Sequence, residues 1–330
     1  MKTFRSFRVY QTDGKIAGRL EESRLDQLGP GDVIIKAHYS SINYKDALAG
    51  TGAGKILRRF PMVAGIDVAG EVLESKDSQF QTGQLVLVTG CGLGEDHDGG
   101  YSEIVRVPGD WVVPLPEGLS CQEAMILGTA GFTAALCLYR MEQNGQQADQ
   151  GPILVTGASG GVGLLATQIF SQMNYSVVAV SSKAPSHSEI KALGATEVLL
   201  PSELNLGSRP LEQSRWAGAL DNVGGDLLAG IIPHIGLWGN IACVGMAGGQ
   251  SLKGTVFPLI LRGVSLLGIS STNCPMPLRQ TLWQKLSTDW KPHALQQTLS
   301  KVLTLETLEE GFASLLGRKN RGRILVDCRA

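Results

Sequence analysis

The sequence has little of what marks a secreted, membrane-bound or nucleic-acid-binding protein. Charged residues make up only 18% of the 330 residues, and the formal net charge is −1. No overall field therefore attracts nucleic acid or an acidic membrane surface. The N-terminal stretch MKTFRSFRVYQTDG lacks the long apolar run of a signal peptide. Other apolar runs are short and interrupted by glycine, so we expect no membrane span, no membrane or nucleic-acid partner, and a cytoplasmic location.

Cysteine is scarce as well, and its spacing argues against a disulfide framework. No two of the six cysteines form a C-x-x-C pair, and scattered thiols in a chain of this length are typical of a reducing compartment. Cys91, His97 and Asp98 lie close in sequence, but they fall in the Gly-rich stretch CGLGEDHDGG, which we interpret as a loop. A zinc site needs three or four ligands around one point, so we expect no bound metal.

Two regions of different character divide the chain. In the first, short apolar or alternating runs such as VIIKAHYSSI, VAGEVLES and QLVLVTG are separated by Pro and Gly, which predicts a barrel-like β domain. From Ser120, where Glu123 completes a capping box, the pattern becomes helical. Strand-like and helix-like segments then alternate, which predicts a parallel sheet with helices on both faces. We place the catalytic domain at residues 1–123 and 270–330, and a nucleotide-binding domain at 124–269.

The strongest motif is ILVTGASGGVGLLATQIF, in which an apolar strand leads into a Gly-rich turn and then an amphipathic helix. Ala158, Gly160 and Gly163 fit the pattern A-x-G-x-x-G, where small residues allow a pyrophosphate to approach the backbone at the helix N-terminus. A second strand follows at the right distance, so the match is specific. The alternative is a structural glycine turn in another α/β protein. Predicted contacts to the cofactor are Ser159, Gly160, Gly161, Val162 and Gly163.

The residues after the second strand favour NADPH over NADH. NAD-binding sites usually have Asp or Glu at this point, which accepts hydrogen bonds from the ribose. The sequence instead has Ser181, Ser182 and Lys183. Two hydroxyl groups and an ammonium group suit a 2′-phosphate, whereas a carboxylate would repel it. The alternative for Lys183 is a solvated surface lysine.

Several motifs in order resemble one branch of a known superfamily. NYKD, GIDVAG, GDWVVPLP, GTAGFTAAL, VTGASGGVG and ILRGVSLLGI together are similar to the medium-chain dehydrogenases/reductases, in the branch of acrylyl-CoA reductases and quinone oxidoreductases. The resemblance spans nearly the whole chain and implies a GroES-like catalytic domain with a Rossmann-type domain. Zinc enzymes of this superfamily carry G-H-E, but this chain has Ile66 in GID where they have the zinc-binding His. The resemblance therefore implies a zinc-independent member.

The resemblance also implies an activity, an assembly and further site residues. The activity is NADPH-dependent reduction of an activated C=C bond, with acryloyl-CoA as one substrate. The assembly is a homodimer in which VSLLGI pairs with its copy. Cofactor contacts carried over by match are Asn222, Met246, Ser270, Ser271 and Arg318, the last standing where relatives often have Asn. The alternative for each is an ordinary loop residue at a strand end.

The NYKD stretch supplies the candidate catalytic groups. Hydride addition to an unsaturated carbonyl requires positioning and a donor for the growing oxygen charge, and a nicotinamide cofactor carries the difficult step without metal. Tyr44 can donate to that oxygen or contact the nicotinamide; its alternative is a half-buried tyrosine bonded to a neighbour. Asn43 and Asp46 can orient cofactor, substrate or water; for Asp46 the alternative is a helix N-cap. Lys45, which points the other way if the segment is a strand, is interpreted as a surface residue.

Three questions stay open from the sequence. Lys55, Arg58 and Arg59 form a basic cluster that can attract coenzyme A phosphates or can simply be solvated. His97 in its Gly-rich loop can face the substrate. The acceptor is an enoyl thioester, a related enone or a quinone, since all three are conjugated carbonyl compounds. A more distant alternative is a catalytically silent nucleotide-binding protein.

Overall fold

A computed structural model of the chain describes residues 3–330 and contains sixteen strands and eight α-helices in that range. The strands are β1 Phe4–Thr12, β2 Lys15–Ser23, β3 Val33–Ile42, β4 Met62–Val63, β5 Asp67–Ser75, β6 Leu85–Thr89, β7 Ile104–Val107, β8 Val113–Pro114, β9 Ile153–Thr156, β10 Val177–Val180, β11 Glu197–Leu199, β12 Trp216–Asp221, β13 Ile235–Cys243, β14 Ser265–Gly268, β15 Leu299–Thr304 and β16 Arg323–Asp327. The helices are α1 Tyr44–Thr51, α2 Cys121–Gln143, α3 Gly161–Gln172, α4 His187–Ala192, α5 Gly225–Ile231, α6 Phe257–Arg262, α7 Met276–Ser287 and α8 Leu308–Leu316.

The chain divides into two compact units. The first comprises the residues up to Ala130 together with Ser271–Thr288 and Leu295–Ala330. The second comprises Gly131–Ser270 and Asp289–Ala294. The boundary predicted after residue 123 falls earlier in the same helix, α2, and the predicted return at 270 is one residue from the observed one. Asp289–Ala294, which were predicted to lie in the catalytic domain, belong to the second unit.

The first unit is built from two sheets. A three-stranded sheet has the order β2-β1-β4, and a larger sheet has the order β15-β16-β3-β5-β6-β8, with β7 also paired to β3. Alternate residues of β3 point inward, so Val33, Ile35 and Ala37 are almost fully buried. They join a cluster that includes Phe7 and Phe312, whose rings lie 5.7 Å apart edge to face. Ile42, the last residue of β3, belongs to the same core, and helix α1 begins two residues later.

The second unit contains one six-stranded sheet in which every pair is parallel. Its order is β11-β10-β9-β12-β13-β14, which is the doubly wound order of a dinucleotide-binding fold. Strands β9, β10 and β12 are buried along their whole length, as expected when both faces of a parallel sheet are covered. The predicted parallel sheet is therefore confirmed, and the glycine turn follows its central strand β9.

Helix α2 begins where the capping box predicted. The Glu123 carboxylate accepts from the Ser120 amide at 2.9 Å, and the Ser120 hydroxyl accepts from the Glu123 amide at 3.2 Å. By length and composition this helix is the one segment within residues 3–330 that could cross a membrane, which the sequence analysis overlooked. Most of the apolar part of this helix is buried, however, and Gly128 interrupts the helical geometry. These features are typical of a core helix.

The strands β1 and β2 were missed by the sequence analysis. They form a long antiparallel hairpin in which Thr12 pairs with Lys15 across Asp13-Gly14. An Asp-Gly pair between two alternating runs is a strong hairpin signal. That dipeptide could have revealed the hairpin in advance.

Candidate active site

The NYKD stretch begins a helix rather than continuing a strand. Helix α1 starts at Tyr44, and Asn43 is its N-cap residue. Asp46 lies at the third helical position and its carboxylate accepts from the Asn43 amide at 2.8 Å. The alternative that Asp46 is the N-cap is therefore wrong: Asn43 is the N-cap residue, and Asp46 completes the reciprocal hydrogen bond from the third helical position. The strand-based orientation of Lys45 is corrected for the same reason.

Tyr44 has the exposure expected of a residue that meets a ligand. Its side chain is 49% exposed at the first position of α1. Within residues 3–330, no hydrogen bond or ion pair involves the Tyr44 hydroxyl. The alternative of a half-buried tyrosine bonded to a neighbour is therefore not what the structure shows. An uncommitted phenol can donate to an incoming oxygen.

Asp46 is completely buried, in contrast to Tyr44. One carboxylate oxygen accepts from the backbone and side-chain amides of Asn43 at 2.8 and 3.1 Å, and the other accepts from the Ile66 amide at 2.9 Å. Burial, together with the nearby Asp67 carboxylate, raises the pKa of Asp46 to about 7. This placement favours the capping role, in which Asp46 acts on a ligand only through Asn43 and Tyr44.

A buried pair of charges that the sequence analysis missed lies behind Asn43. The Asp67 carboxylate accepts from the Ser41 hydroxyl at 2.6 Å, the Asn43 side-chain amide at 2.8 Å and the Thr129 hydroxyl at 2.6 Å. The Arg323 guanidinium lies 3.8 Å from the same carboxylate, and both side chains are almost fully buried. We call Ser41, Asn43, Asp46, Asp67, Thr129 and Arg323 the carboxylate network.

Arg323 holds the carboxylate network together from the last strand of the chain. Its guanidinium donates to the Ser41 hydroxyl at 2.7 Å, the Asn43 side-chain carbonyl at 3.0 Å and the Ile126 carbonyl at 2.9 Å. Burial lowers the pKa of Arg323, and the neighbouring carboxylates oppose that effect. The side-chain oxygen and nitrogen of Asn43 are thus both fixed by ionic partners. The network orients the residue that precedes Tyr44.

Gly128 lets helix α2 approach the carboxylate network. The residue has φ +50°, and a Cβ there would lie 2.7 Å from an Asp67 carboxylate oxygen and 2.8 Å from the Arg323 guanidinium. Any side chain would displace these charges. The interruption of α2 therefore has a local reason, since it brings the Thr129 amide and hydroxyl onto Asp67.

His97 and Cys91 do not form a metal centre. The His97 ring is buried, with its nitrogens 2.7 Å from the Pro30 carbonyl oxygen and 3.0 Å from the Asp98 carbonyl oxygen. His97 is thus committed to backbone partners, against the expectation that it can face a substrate. Among the described residues, no group of three or more His, Cys, Asp or Glu side chains could hold a metal ion.

The glycine turn of the second unit is shaped for a phosphate group. Helix α3 begins at Gly161 with Gly160 as its N-cap, and its ladder starts with the Leu164 amide donating to the Gly160 carbonyl at 2.9 Å. The amides of Gly161, Val162 and Gly163 precede that ladder, so they are donors available to an anion. A Cβ on Gly163 would lie 2.4 Å from the Gly157 carbonyl oxygen. Only glycine allows the helix to begin this close to the turn, which fits a bound pyrophosphate.

The residues after β10 differ from one another in exposure. Ser181 is 2% exposed, and its hydroxyl accepts from the Lys183 amide at 3.1 Å. Ser182 is exposed, and Lys183 is half-buried, which lowers the pKa of its ammonium group. Ser181 therefore shapes the turn, while Ser182 and Lys183 are the groups that a ligand can reach. No carboxylate occupies this turn, in agreement with the choice of NADPH.

The remaining predicted contacts of the second unit lie at strand ends. Asn222 follows β12, and its side-chain amide donates to the Thr156 carbonyl at 2.7 Å, which ties it to the end of β9. Met246 is 69% exposed in the loop after β13, and Ser270 is exposed after β14. The carboxyl ends of parallel strands meet at one edge of a sheet, which is where dinucleotides bind. The assignment of these residues to the cofactor stays a prediction.

Two predicted contacts belong to the first unit. Ser271 is half-buried, and its carbonyl accepts from the Arg279 guanidinium at 2.7 Å. Arg318 is exposed with φ +53° in the turn after α8. Ser271 is therefore rigidly placed, whereas Arg318 lies at the surface.

The basic cluster is partly neutralised by acidic neighbours. Arg59 lies 3.3 Å from the Asp98 carboxylate, and Arg58 lies 3.7 Å from Asp96. Lys55 is exposed without an ion pair to any described residue. Of the three, Lys55 is the cation most available to a phosphate.

Two family models match the chain. The model described as the alcohol dehydrogenase GroES-like domain matches residues 29–117, and the model described as zinc-binding dehydrogenase matches residues 161–288. The first match includes α1 and the strands around it, and the second begins at the start of α3 and includes β10 to β14. The second description is the name of a family that includes zinc proteins, and the match does not by itself assign a zinc ion to this chain.

The full length of the chain is similar to curated proteins and solved structures. It is 46% identical over 319 residues to AcuI of Escherichia coli K12, named a probable acrylyl-CoA reductase, with 96% of this chain and 97% of that protein covered. It is 41% identical over 324 residues to YhfP of Bacillus subtilis strain 168, provisionally named a quinone oxidoreductase, with 98% of each covered.

Two crystal structures share the fold across nearly every residue. The yhdH oxidoreductase from Salmonella enterica, in complex with NADP, has a TM-score of 0.95 at 44% identity and covers 98% of this chain and 99% of that one. Bacillus subtilis yhfP, with NAD bound, has a TM-score of 0.97 at 41% identity and covers 99% of this chain and 100% of that one.

Proposed function

We propose that the chain reduces an activated C=C bond with NADPH. It belongs to the acrylyl-CoA reductase and quinone oxidoreductase branch of the medium-chain dehydrogenase/reductase superfamily. Acryloyl-CoA, which would give propanoyl-CoA, is the preferred acceptor among enoyl thioesters and enones. When bound, NADPH would supply the hydride that adds to the β-carbon, and the α-carbon would take a proton from a side chain or water. Relatives crystallised with NADP and with NAD support a nicotinamide cofactor.

Tyr44 is the proposed hydrogen-bond donor in the catalytic step. Tyr44 is about half exposed and its hydroxyl has no partner among residues 3–330, so it can donate to the carbonyl oxygen on which negative charge grows. The carboxylate network holds Asn43 immediately before it, which limits the positions that Tyr44 can adopt. A preorganised donor of this kind stabilises the charge without reorganisation during the reaction.

The cofactor is held in this proposal by donors from the chain. The amides that open α3 bind the pyrophosphate, and Ser182 and Lys183 bind the 2′-phosphate. Ser159, Asn222, Met246, Ser270, Ser271 and Arg318 are proposed as the further contacts.

The test is a Tyr44→Phe substitution. Loss of the hydroxyl should lower kcat with acryloyl-CoA by roughly 100-fold, because one donor to the developing charge is removed. The dissociation constant for NADPH should change little. Tyr10→Phe is a matched control, because the Tyr10 hydroxyl bonds Glu21 at 2.7 Å on the outer hairpin. Equal activity of Tyr44→Phe and wild type would refute the assignment.

Quinone reduction is the second candidate, favoured by the similarity to YhfP. A quinone is also a conjugated carbonyl compound and would use the same donor. Specificity constants for acryloyl-CoA and a benzoquinone, measured side by side, separate the two when one exceeds the other by orders of magnitude. NADPH binding without turnover on any acceptor would instead support a nucleotide-binding protein without catalysis.

We also propose a homodimer formed through β14. This strand lies at the edge of the six-stranded sheet, so its outer hydrogen-bonding groups can pair with another strand. Exposed apolar side chains lie on the preceding helix α6, where Ile260 is 71% and Leu261 is 57% exposed. Light scattering of the wild-type protein should give twice the mass of one chain. The Leu267→Arg variant should have the mass of a single chain. A wild-type monomer would refute this assembly.

A reducing cytoplasm is the proposed location. All six cysteines are free, and burial raises the pKa of several of their thiols, including Cys121 and Cys274. Cell fractionation tests this location, and recovery of the protein outside the cytoplasm would contradict it.

A further inference from the structure

Lys45, next to Tyr44 in helix α1, is held by an ion pair. Its ammonium group donates to the Glu95 carboxylate at 2.8 Å and to the Thr272 hydroxyl at 3.4 Å. The side chain of Lys45 is 34% exposed and that of Glu95 only 15%. The Thr272 hydroxyl also lies 3.4 Å from the same Glu95 oxygen. Lys45 is therefore not the freely solvated residue that its sequence position suggests.

The segment on the other side of this contact, Ser271 and Thr272, is also held in place by hydrogen bonds. Arg279, which is fully buried in α7, donates to the Ser271 carbonyl at 2.7 Å and to the Thr272 carbonyl at 3.1 Å. The same guanidinium donates to the Thr89 carbonyl at the end of β6. The Cys91 amide donates to the Thr272 carbonyl at 3.1 Å. Ser271 and Thr272 are thus attached to the β6 end of the first unit and cannot shift alone.

Lys45 is the side chain that connects this fixed segment to helix α1. Through Glu95 and Thr272, one ammonium group joins the turn of α1 that carries Tyr44 to the segment that carries Ser271. An ion pair that is mostly shielded from water is screened less than an exposed one, so it restrains its partners more strongly. Lys45 therefore restrains the turn of α1 that carries Tyr44 against the segment that carries Ser271.

We propose that Lys45 is a positioning residue for the nicotinamide end of the cofactor. In this role it restrains the distance between Tyr44, which can contact the nicotinamide, and Ser271, a proposed cofactor contact, without itself binding substrate or cofactor. The inference rests on that proposed function. It predicts a defect confined to ligands that possess the nicotinamide, because the glycine turn and Lys183 are remote from Lys45 in the chain and belong to the other unit.

The experiment compares two ligands on Lys45→Met. NADPH carries the nicotinamide, whereas 2′,5′-ADP keeps only the adenosine and the 2′-phosphate. Loss of the ion pair should raise the dissociation constant for NADPH roughly fivefold and leave that for 2′,5′-ADP unchanged, as expected for a contact worth about 1 kcal/mol. Titration calorimetry measures both constants without turnover.

Three further variants complete the design. Glu95→Gln removes the charge from the other partner and should reproduce the defect, so the test does not depend on one variant folding. Lys45→Arg keeps the charge and should restore NADPH binding to within about twofold of wild type. Lys301→Met removes the exposed ion pair with Glu310, whose side chains are 50% and 59% exposed, and should leave both ligands unaffected.

The outcomes separate this inference from the proposed function. Wild-type protein that binds neither ligand would refute the proposed function and the inference together. Wild-type protein that binds both, with Lys45→Met equal to Lys301→Met, would refute the inference alone. Equal weakening of NADPH and 2′,5′-ADP would also refute it, because a general loss of structure, and not the spacing of Tyr44 and Ser271, would then explain the defect.

Discussion

The two units prepare their ligand-binding groups by opposite means. In the first unit, the carboxylate network places charged side chains away from water, with Asp46 and Asp67 both 0% exposed and Arg323 2% exposed. In the second unit, the glycine turn uses no charge at all and presents backbone amides at the start of α3. Charge pairs are sensitive to protonation and to loss of a partner, whereas a backbone turn is sensitive to added volume. The two regions should therefore fail under different perturbations.

The largest effect is expected from removing the cation of the carboxylate network. Arg323→Met leaves Asp67 buried without its positive partner, so the free energy of unfolding should fall by about 3–5 kcal/mol. Arg24→Met is a matched control, because Arg24 and Asp26 are both about half exposed at 51% and 53%; it should cost less than about 1 kcal/mol. Urea denaturation measures both. Equal losses would show that the network is no more charge-dependent than the surface.

The next largest effect is expected in the pH dependence of the free energy of unfolding, through Asp46 of the carboxylate network. The pKa of Asp46 is about 7 in the folded protein against 3.8 for an ordinary aspartate. Between these values the folded chain binds more protons than the unfolded chain, so this contribution is complete below pH 4 and is lost as the pH rises to 7. The slope for one group is at most about 1.4 kcal/mol per pH unit.

Asp46→Asn should remove that slope. Asparagine keeps one acceptor oxygen but cannot ionise, so the difference between wild type and variant should narrow or reverse from pH 5 to pH 8. Urea denaturation at several pH values measures it. A difference that is independent of pH would contradict the raised pKa.

Added side-chain volume should disrupt the glycine turn of the second unit, which does not depend on charged side chains. Gly163→Ala places a Cβ 2.4 Å from the Gly157 carbonyl oxygen and 2.6 Å from the Ala158 Cα, so α3 must move away from the turn. Affinity for NADPH and NADH should fall together by roughly 30-fold, as for about 2 kcal/mol of overpacking. Gly254→Ala is the control, since nothing lies within 4 Å of its Cβ position. Fluorescence titration that shows no loss for Gly163→Ala would contradict the close approach.

The smallest effect concerns the one charge proposed to bind the cofactor in the second unit. Lys183→Ala should weaken NADPH roughly tenfold and leave NADH unchanged, because only the 2′-phosphate loses a partner. Lys191→Ala, an exposed lysine in the following helix, is the control. Equal weakening of both nucleotides would contradict the assignment of the 2′-phosphate to Lys183.

The residues that the sequence analysis found and those it missed differ in how far apart they lie along the chain. The glycine turn, β9 and α3 are contiguous, and the Ser120–Glu123 capping box spans four residues, so local spacing was sufficient to predict them. Arg323 reaches Ser41 across 282 positions, and no local pattern indicates that contact. A Gly that interrupts a helical pattern, as Gly128 does, was the one signal that could have drawn attention to the network.

The domain types, the glycine turn and the lack of a carboxylate after β10 follow from periodicity, from small residues and from the order of neighbours in the chain, so the amino-acid sequence was sufficient to predict them. Which polar side chains are buried together depends instead on the packing of the folded chain. That packing places Asp67 against Arg323, buries Asp46 completely, pairs Lys45 with Glu95, and leaves the Tyr44 hydroxyl without a partner among residues 3–330. The physical reason is that ion pairing and burial depend on distance in space, which the packing of remote strands and helices sets.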